Sequence, residues 1–131
     1  MANILIIDDD FAIVELLREV LTRDGHSVDT AGDAVEGMQK ARSIKRDLII
    51  LDYHMPGMTG AHLFESLRRN RATSLTPILF MSGEATGDEI LQEIADPTGA
   101  SFLAKPVRLQ DFRKAVSGLL ASGSPPQPSK P

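Results

Sequence analysis

The sequence predicts an α/β domain: a doubly wound, five-stranded parallel sheet with helices on both faces. Two observations carry this. Short apolar runs rich in β-branched residues alternate, along 131 residues, with stretches whose apolar positions recur at helical spacing. Four of the runs also end in a polar residue, in order aspartate, aspartate, serine and lysine. Parallel strands need crossovers of one hand, which puts helices on both sides of the sheet. Ligands of such sheets collect outside the carboxyl ends of the strands, where these four residues would gather.

The elements follow in order. Residues 4–7 form the first run and stop at Asp8. Ile13, Leu16, Leu17, Val20 and Leu21 then trace the apolar face of a helix that Gly25 can end. Val28 centres a short strand near 26–30, and a helix is expected over about 33–44. The run 48–51 leads into Asp52, and a helix is expected over 60–71. The run 77–81 ends at Ser82, with a helix expected over 86–95 that Gly87 and Pro97 keep short. The run 101–104 ends at Lys105, and the last helix is expected over 108–121. One domain is thus expected over residues 1–121. Residues 122–131 hold four prolines and no apolar side chain that could dock, so they read as a disordered tail.

Composition narrows the function classes. With 42% hydrophobic residues the chain can build a core, and without cysteine it has no disulfide, thiolate nucleophile or cysteine-held zinc. A net charge of −4 weighs against nucleic acid as a direct ligand. Arg68, Arg69 and Arg71, the one basic cluster, read as the solvated end of a helix. The amino-terminal apolar run is too short for a signal peptide, and no run approaches the roughly 20 residues of a membrane span. A cytoplasmic protein without membrane contact is therefore expected.

The acidic residues carry the chemistry. Neighbouring parallel strands would bring Asp52 close to the group Asp8, Asp9 and Asp10. Crowded carboxylates repel, and a hard divalent cation with oxygen ligands relieves them. Magnesium, with manganese as a substitute, suits a site that also takes phosphoryl oxygens. Asp10 reads instead as the cap of the following helix. Lys105 supplies a cation, and a cis bond to Pro106 would turn it back toward the carboxylates. The Ser82 hydroxyl could donate to a phosphoryl oxygen. Crowding further predicts that Asp9→Asn stabilises the metal-free protein.

The segments ILIIDDD, DLIILDYHMPGMTG, PILFMSG and GASFLAKP, in that order, resemble the receiver domain of two-component response regulators over residues 3–121, most of all the single-domain chemotaxis type. The resemblance implies a flavodoxin-like sheet in strand order 2-1-3-4-5. It implies that Asp52 is the phosphoacceptor, assisted by Lys105 and Ser82. Asp8, Asp9, Asp52 and the backbone carbonyl of His54 would hold magnesium. Ser82 and Phe102 would form a switch pair, while His54 and Glu84 would tune the lifetime of the acyl phosphate. Met55, Pro56, Gly57 and Gly60 would shape the loop after the acceptor. The phosphoryl donor would be a histidine kinase or a histidine phosphotransfer protein. An unspecified downstream protein would read the signal, and homodimerisation on phosphorylation stays open. Because the fourth helix is short, an output face there is in doubt.

Several readings compete. The chain can be a free-standing regulator or phosphate shuttle, or the receiver part of a larger response regulator or hybrid kinase. A conventional enzyme is not expected beyond self-catalysed aspartyl phosphorylation and dephosphorylation. An aspartyl phosphohydrolase would use Asp8 and Asp10 and need a cap domain, leaving Asp52 unexplained. A flavin carrier would need aromatics, yet there is one tyrosine and no tryptophan. A degenerate, phosphorylation-independent receiver is disfavoured because the five expected site residues are all present.

Overall fold

In a computed structural model the described residues are 2–55, 57–83, 89, 90, 92 and 98–121. Strand β1 (Asn3–Ile7) leads to helix α1 (Phe11–Arg23), β2 (Ser27–Ala31) to α2 (Ala34–Ser43), and β3 (Leu48–Asp52) to a small antiparallel pair, β4 (His54–Met55) and β5 (Met58–Thr59). Helix α3 (Gly60–Arg69), β6 (Ile78–Ser82), β7 (Ala100–Ala104) and α4 (Leu109–Ala121) follow. The main sheet has five strands, all paired in parallel, in the order β2-β1-β3-β6-β7. Counting only these five strands, that is the expected 2-1-3-4-5. The helix expected over 86–95, with Gly87 and Pro97, lies mainly outside the described residues, as do Glu84 and the segment 122–131.

The strands read as apolar runs because both faces are covered. Ile4, Ile6, Leu48, Ile50, Leu79 and Met81 share one core with Val14, Leu17 and Leu21 of α1 and Phe112 and Val116 of α4. Leu5, Ile7, Ile49, Leu51, Ile78 and Phe80 share the other with Ala34, Ala41, Leu63, Phe64 and Leu67 of α2 and α3. Side chains alternate along a strand, so the inner strands β1, β3 and β6 serve both cores and, past Asn3, carry no polar residue until they end. Caps fix where the helices begin. Asp10 accepts from the backbone of Ile13 at 3.2 Å, Asp33 from Glu36 at 2.8 Å and Thr59 from His62 at 3.2 Å.

The basic cluster needs a correction. Arg69 and Arg71 are exposed, but Arg68 is not simply solvated. Its guanidinium lies 4.8 Å from the centre of the Phe64 ring, one turn back on α3. From there it donates to the carbonyls of Thr73, Thr76 and Thr98 at 3.1, 2.8 and 3.2 Å, fastening the loop before β6 to the turn before β7. A planar, five-donor side chain can bind three carbonyls at once, which charge counting alone does not reveal.

Candidate functional site

The carboxyl ends of β1, β3 and β6, and the residue after β7, bring the expected side chains to one end of the sheet. Asp8 follows β1, and its backbone N–H bonds to the carbonyl of Ala31 at 3.0 Å. Asp52 ends β3 and sits in register with Met81, one residue before Ser82. Ser82 is buried, and its carbonyl accepts the backbone N–H of Lys105 at 2.8 Å. The bond from Lys105 to Pro106 is cis, as expected.

Carboxylate oxygens of Asp8, Asp9 and Asp52 lie within 4.8 Å of one another. Asp8 and Asp52 are buried, whereas Asp9 is exposed. The Lys105 ammonium bridges the buried pair, 3.2 Å from Asp52 Oδ1 and 3.3 Å from Asp8 Oδ2. The other oxygen of Asp8 accepts the backbone N–H of Asp10 at 2.9 Å. Asp10 itself is occupied as the cap of α1, as its place in the sequence suggests.

One cation among three carboxylates leaves the site electrically unbalanced. Burial, followed by the charge of Asp8, pushes the Asp52 carboxyl up to about 6, against the pull of Lys105 and of the His54 N–H. Burial alone would lower the lysine, but the charges of Asp8 and Asp52 outweigh it and hold Lys105 above its ordinary value. The charge of Asp8 is thus felt at buried Asp52, which adds Asp52 to Asp9 as a position where an amide is expected to stabilise the metal-free protein.

The loop after Asp52 is fixed by close packing. The Tyr53 N–H bonds to the carbonyl of Met81 at 2.9 Å, and the Tyr53 carbonyl accepts the N–H of Gly60 at 2.7 Å. A Cβ on Gly60 would stand 2.7 Å from Tyr53 Cα, so only glycine lets α3 begin this close to the end of β3. Gly57 has φ +85 in the β4–β5 turn, a conformation that other residues rarely adopt. Both glycines act as the sequence suggests.

A family model described as the response regulator receiver domain matches residues 4–117. The chain belongs to that family. Receivers are the modules of two-component signalling that histidine kinases phosphorylate, and they bind magnesium at an acidic pocket. The receiver is 36% identical over 124 residues to the transcriptional regulatory protein AfsQ1 of Streptomyces coelicolor, covering 94% of this chain and 53% of that one. It thus spans about half the length of this curated relative. The structure of the chemotaxis response regulator CheY4 of Vibrio cholerae matches with a TM-score of 0.83 and 32% identity, covering 92% of this chain and 99% of that one. The response regulator TrrA of Thermotoga maritima, solved in complex with Mg(2+)-BeF, matches with a TM-score of 0.77 and 28% identity, covering 92% of this chain and all of that one.

The donor set of this receiver fits magnesium: hard carboxylate oxygens, more negative charge than Lys105 balances, and one ligand, Asp9, facing solvent. The structure places the remaining expected residues as follows. The His54 side chain is exposed, with its ring edge-on to Tyr53, while the backbone N–H of His54 donates to Asp52 Oδ1 at 3.4 Å. Phe102 is partly buried and stacked on Phe80, its register partner, at 5.7 Å. Glu84 lies outside the described residues.

Sequence reasoning missed Tyr53. It continues the alternation of Ile49 and Leu51 onto the α2/α3 core and is buried there, while Asp52 turns to the site. That alternation was the available signal. The buried Tyr53 hydroxyl has no hydrogen-bond partner among the described residues, a state that costs about 1–3 kcal/mol.

Proposed function

We propose that this receiver is a magnesium-dependent phosphorylation switch whose acceptor is Asp52. The observation that carries the reading is the buried Asp8–Lys105–Asp52 bridge beside exposed Asp9. An Asp52 oxygen would attack the phosphorus of a phosphohistidine on a histidine kinase or histidine phosphotransfer protein. A P–O bond forms, the N–P bond breaks, and the leaving imidazole takes a proton from solvent. Asp52 must attack as the anion, and with a pKa of about 6 it is mostly ionised near neutral pH.

Lys105 would let go of Asp8 and pair its ammonium with a phosphoryl oxygen, and Ser82 would donate its hydroxyl to a second. Asp8, Asp9, Asp52 and the His54 carbonyl would hold magnesium, which supplies charge neutralisation when bound. The Mg(2+)-BeF complex of TrrA supports this assignment. Ser82 and Phe102 act as the switch pair in this reading, and His54 and Glu84 tune hydrolysis. Among the described residues no helix is long and apolar enough to cross a membrane, which is compatible with the cytoplasmic site of action we propose.

The domain is proposed to end at residue 121, with 122–131 as a tail, and its output to be read by another protein. A second reading has one observation behind it: the chain spans about half of AfsQ1, a transcriptional regulatory protein. In that case the same switch would control an attached output domain. Intact-mass measurement after incubation with acetyl phosphate and magnesium tests the acceptor. A gain of about 80 Da in wild type but not in Asp52→Asn is expected. An equal gain in both would move the acceptor elsewhere.

A further inference from the structure

Tyr53 directly follows the proposed acceptor, yet its side chain leaves the site for the core. Its hydroxyl is the one buried side-chain polar atom without a hydrogen-bond partner among the described residues. Such a group favours any alternative arrangement that gives it a partner. The ring itself is held in a row. It meets the His54 ring at 5.2 Å and 87° and Phe80 at 5.7 Å and 70°, and Phe80 stacks on Phe102 at 5.7 Å and 7°. The row runs from the turn after Asp52 to β7 at the edge of the sheet.

We propose that Tyr53 is a positioning residue of the phosphorylation switch: its unpartnered hydroxyl disfavours the resting state, and phosphoryl occupancy of Asp52 shifts the ring to where that hydroxyl is bonded, moving Phe80 and Phe102 with it. This rests on Asp52 being the acceptor. Close-packed interiors pass between discrete arrangements rather than deform smoothly, so rings in contact shift together. A group unsatisfied in one state and bonded in the other weights the ratio of the two states by its full cost. The hydroxyl therefore raises affinity for a phosphoryl group, while a phenylalanine keeps the packing and loses the bias.

The test uses magnesium and beryllofluoride as the phosphoryl mimic on wild type and Tyr53→Phe, reading melting temperature and near-ultraviolet absorbance. The chain has one tyrosine and no tryptophan, so the absorbance above the phenylalanine band belongs to Tyr53 alone. In wild type the mimic is expected to raise the melting temperature and shift the phenol band to longer wavelength, as hydrogen-bond donation does. Tyr53→Phe is expected to melt higher than wild type without ligand, yet to bind the mimic about tenfold more weakly. A merely structural role would not move resting stability and mimic affinity in opposite directions. Equal affinity in the two proteins with an unshifted phenol band overturns the inference while leaving Asp52 as acceptor. No response of wild type to the mimic removes the Asp52 reading, and the inference with it.

Discussion

Two charge clusters, each around a buried charged side chain, sit in this molecule and are built in opposite ways. Arg46, which is buried in the segment between α2 and β3, donates to Asn3 Oδ1 at 2.8 Å, to Asp29 Oδ2 at 3.0 Å, and to the Lys40 carbonyl at 3.0 and 3.3 Å. Lys40 in turn bonds Asp29 and the carbonyl of Thr30 and pairs with Glu36 at 3.1 Å, so two cations meet two carboxylates. Burial pushes Asp29 up, but the bonds from Lys40 and Arg46 outweigh it and hold the carboxyl below its usual value. At the other cluster one lysine faces three carboxylates, and Asp52 is pushed up. The balanced cluster ties β1, β2 and α2 together, whereas the unbalanced one keeps more negative charge than Lys105 offsets. The two clusters differ in net local charge and in burial alike, since Asp29 is partly exposed and Asp52 is buried.

That contrast can be broken most forcefully at Arg46. Arg46→Met should destabilise the fold by about 3 kcal/mol in denaturant titrations, because it leaves several acceptors without their donor. Magnesium affinity should not change, and a weakened metal site would mean that the two clusters are not independent. At the unbalanced cluster, magnesium at a hundred times its dissociation constant should add about 2.7 kcal/mol. Gly60→Ala should cost about 2 kcal/mol and slow the proposed phosphorylation by acetyl phosphate, because the new methyl group displaces Tyr53 beside Asp52. A loss of stability with an unchanged rate would show that the acceptor tolerates movement of the strand end.

The smallest expected effect is the most diagnostic. Asp52→Asn should stabilise the metal-free protein by about 1 kcal/mol near pH 7, and Asp9→Asn by less, because Asp9 is exposed. The sign follows from the raised pKa. Below about pH 4 Asp52 is protonated folded or unfolded and adds nothing. Between 3.8 and about 6 the folded state keeps a proton that the unfolded chain has lost, so stability falls as pH rises through that window. Equal melting of Asp52→Asn and wild type near neutral pH would mean that Lys105 fully compensates the carboxylates.

Much of this was legible in the sequence because the strand ends mark themselves. A parallel strand buried on both faces admits no polar residue, so the first aspartate, serine or lysine after each apolar run marks its carboxyl end, and the sheet order then brings those ends together. The cis bond before Pro106 and the cap at Asp10 were legible for similarly local reasons. Arg46 was not, because its partners come from three separate segments that only the fold brings near. Arg68 was misread because its role depends on a ring one turn back and on carbonyls in two loops. Asp8 and Asp9, adjacent in sequence, differ in burial, a difference that the sequence alone does not reveal.

The most direct test of the unbalanced site is the melting temperature of wild type and Asp52→Asn from pH 4 to 8, with and without magnesium. Without metal, wild type should lose stability relative to Asp52→Asn as pH rises from about 4 to 6, and magnesium should restore it in wild type far more than in the variant. Two curves that run parallel across this range and ignore magnesium would contradict the account.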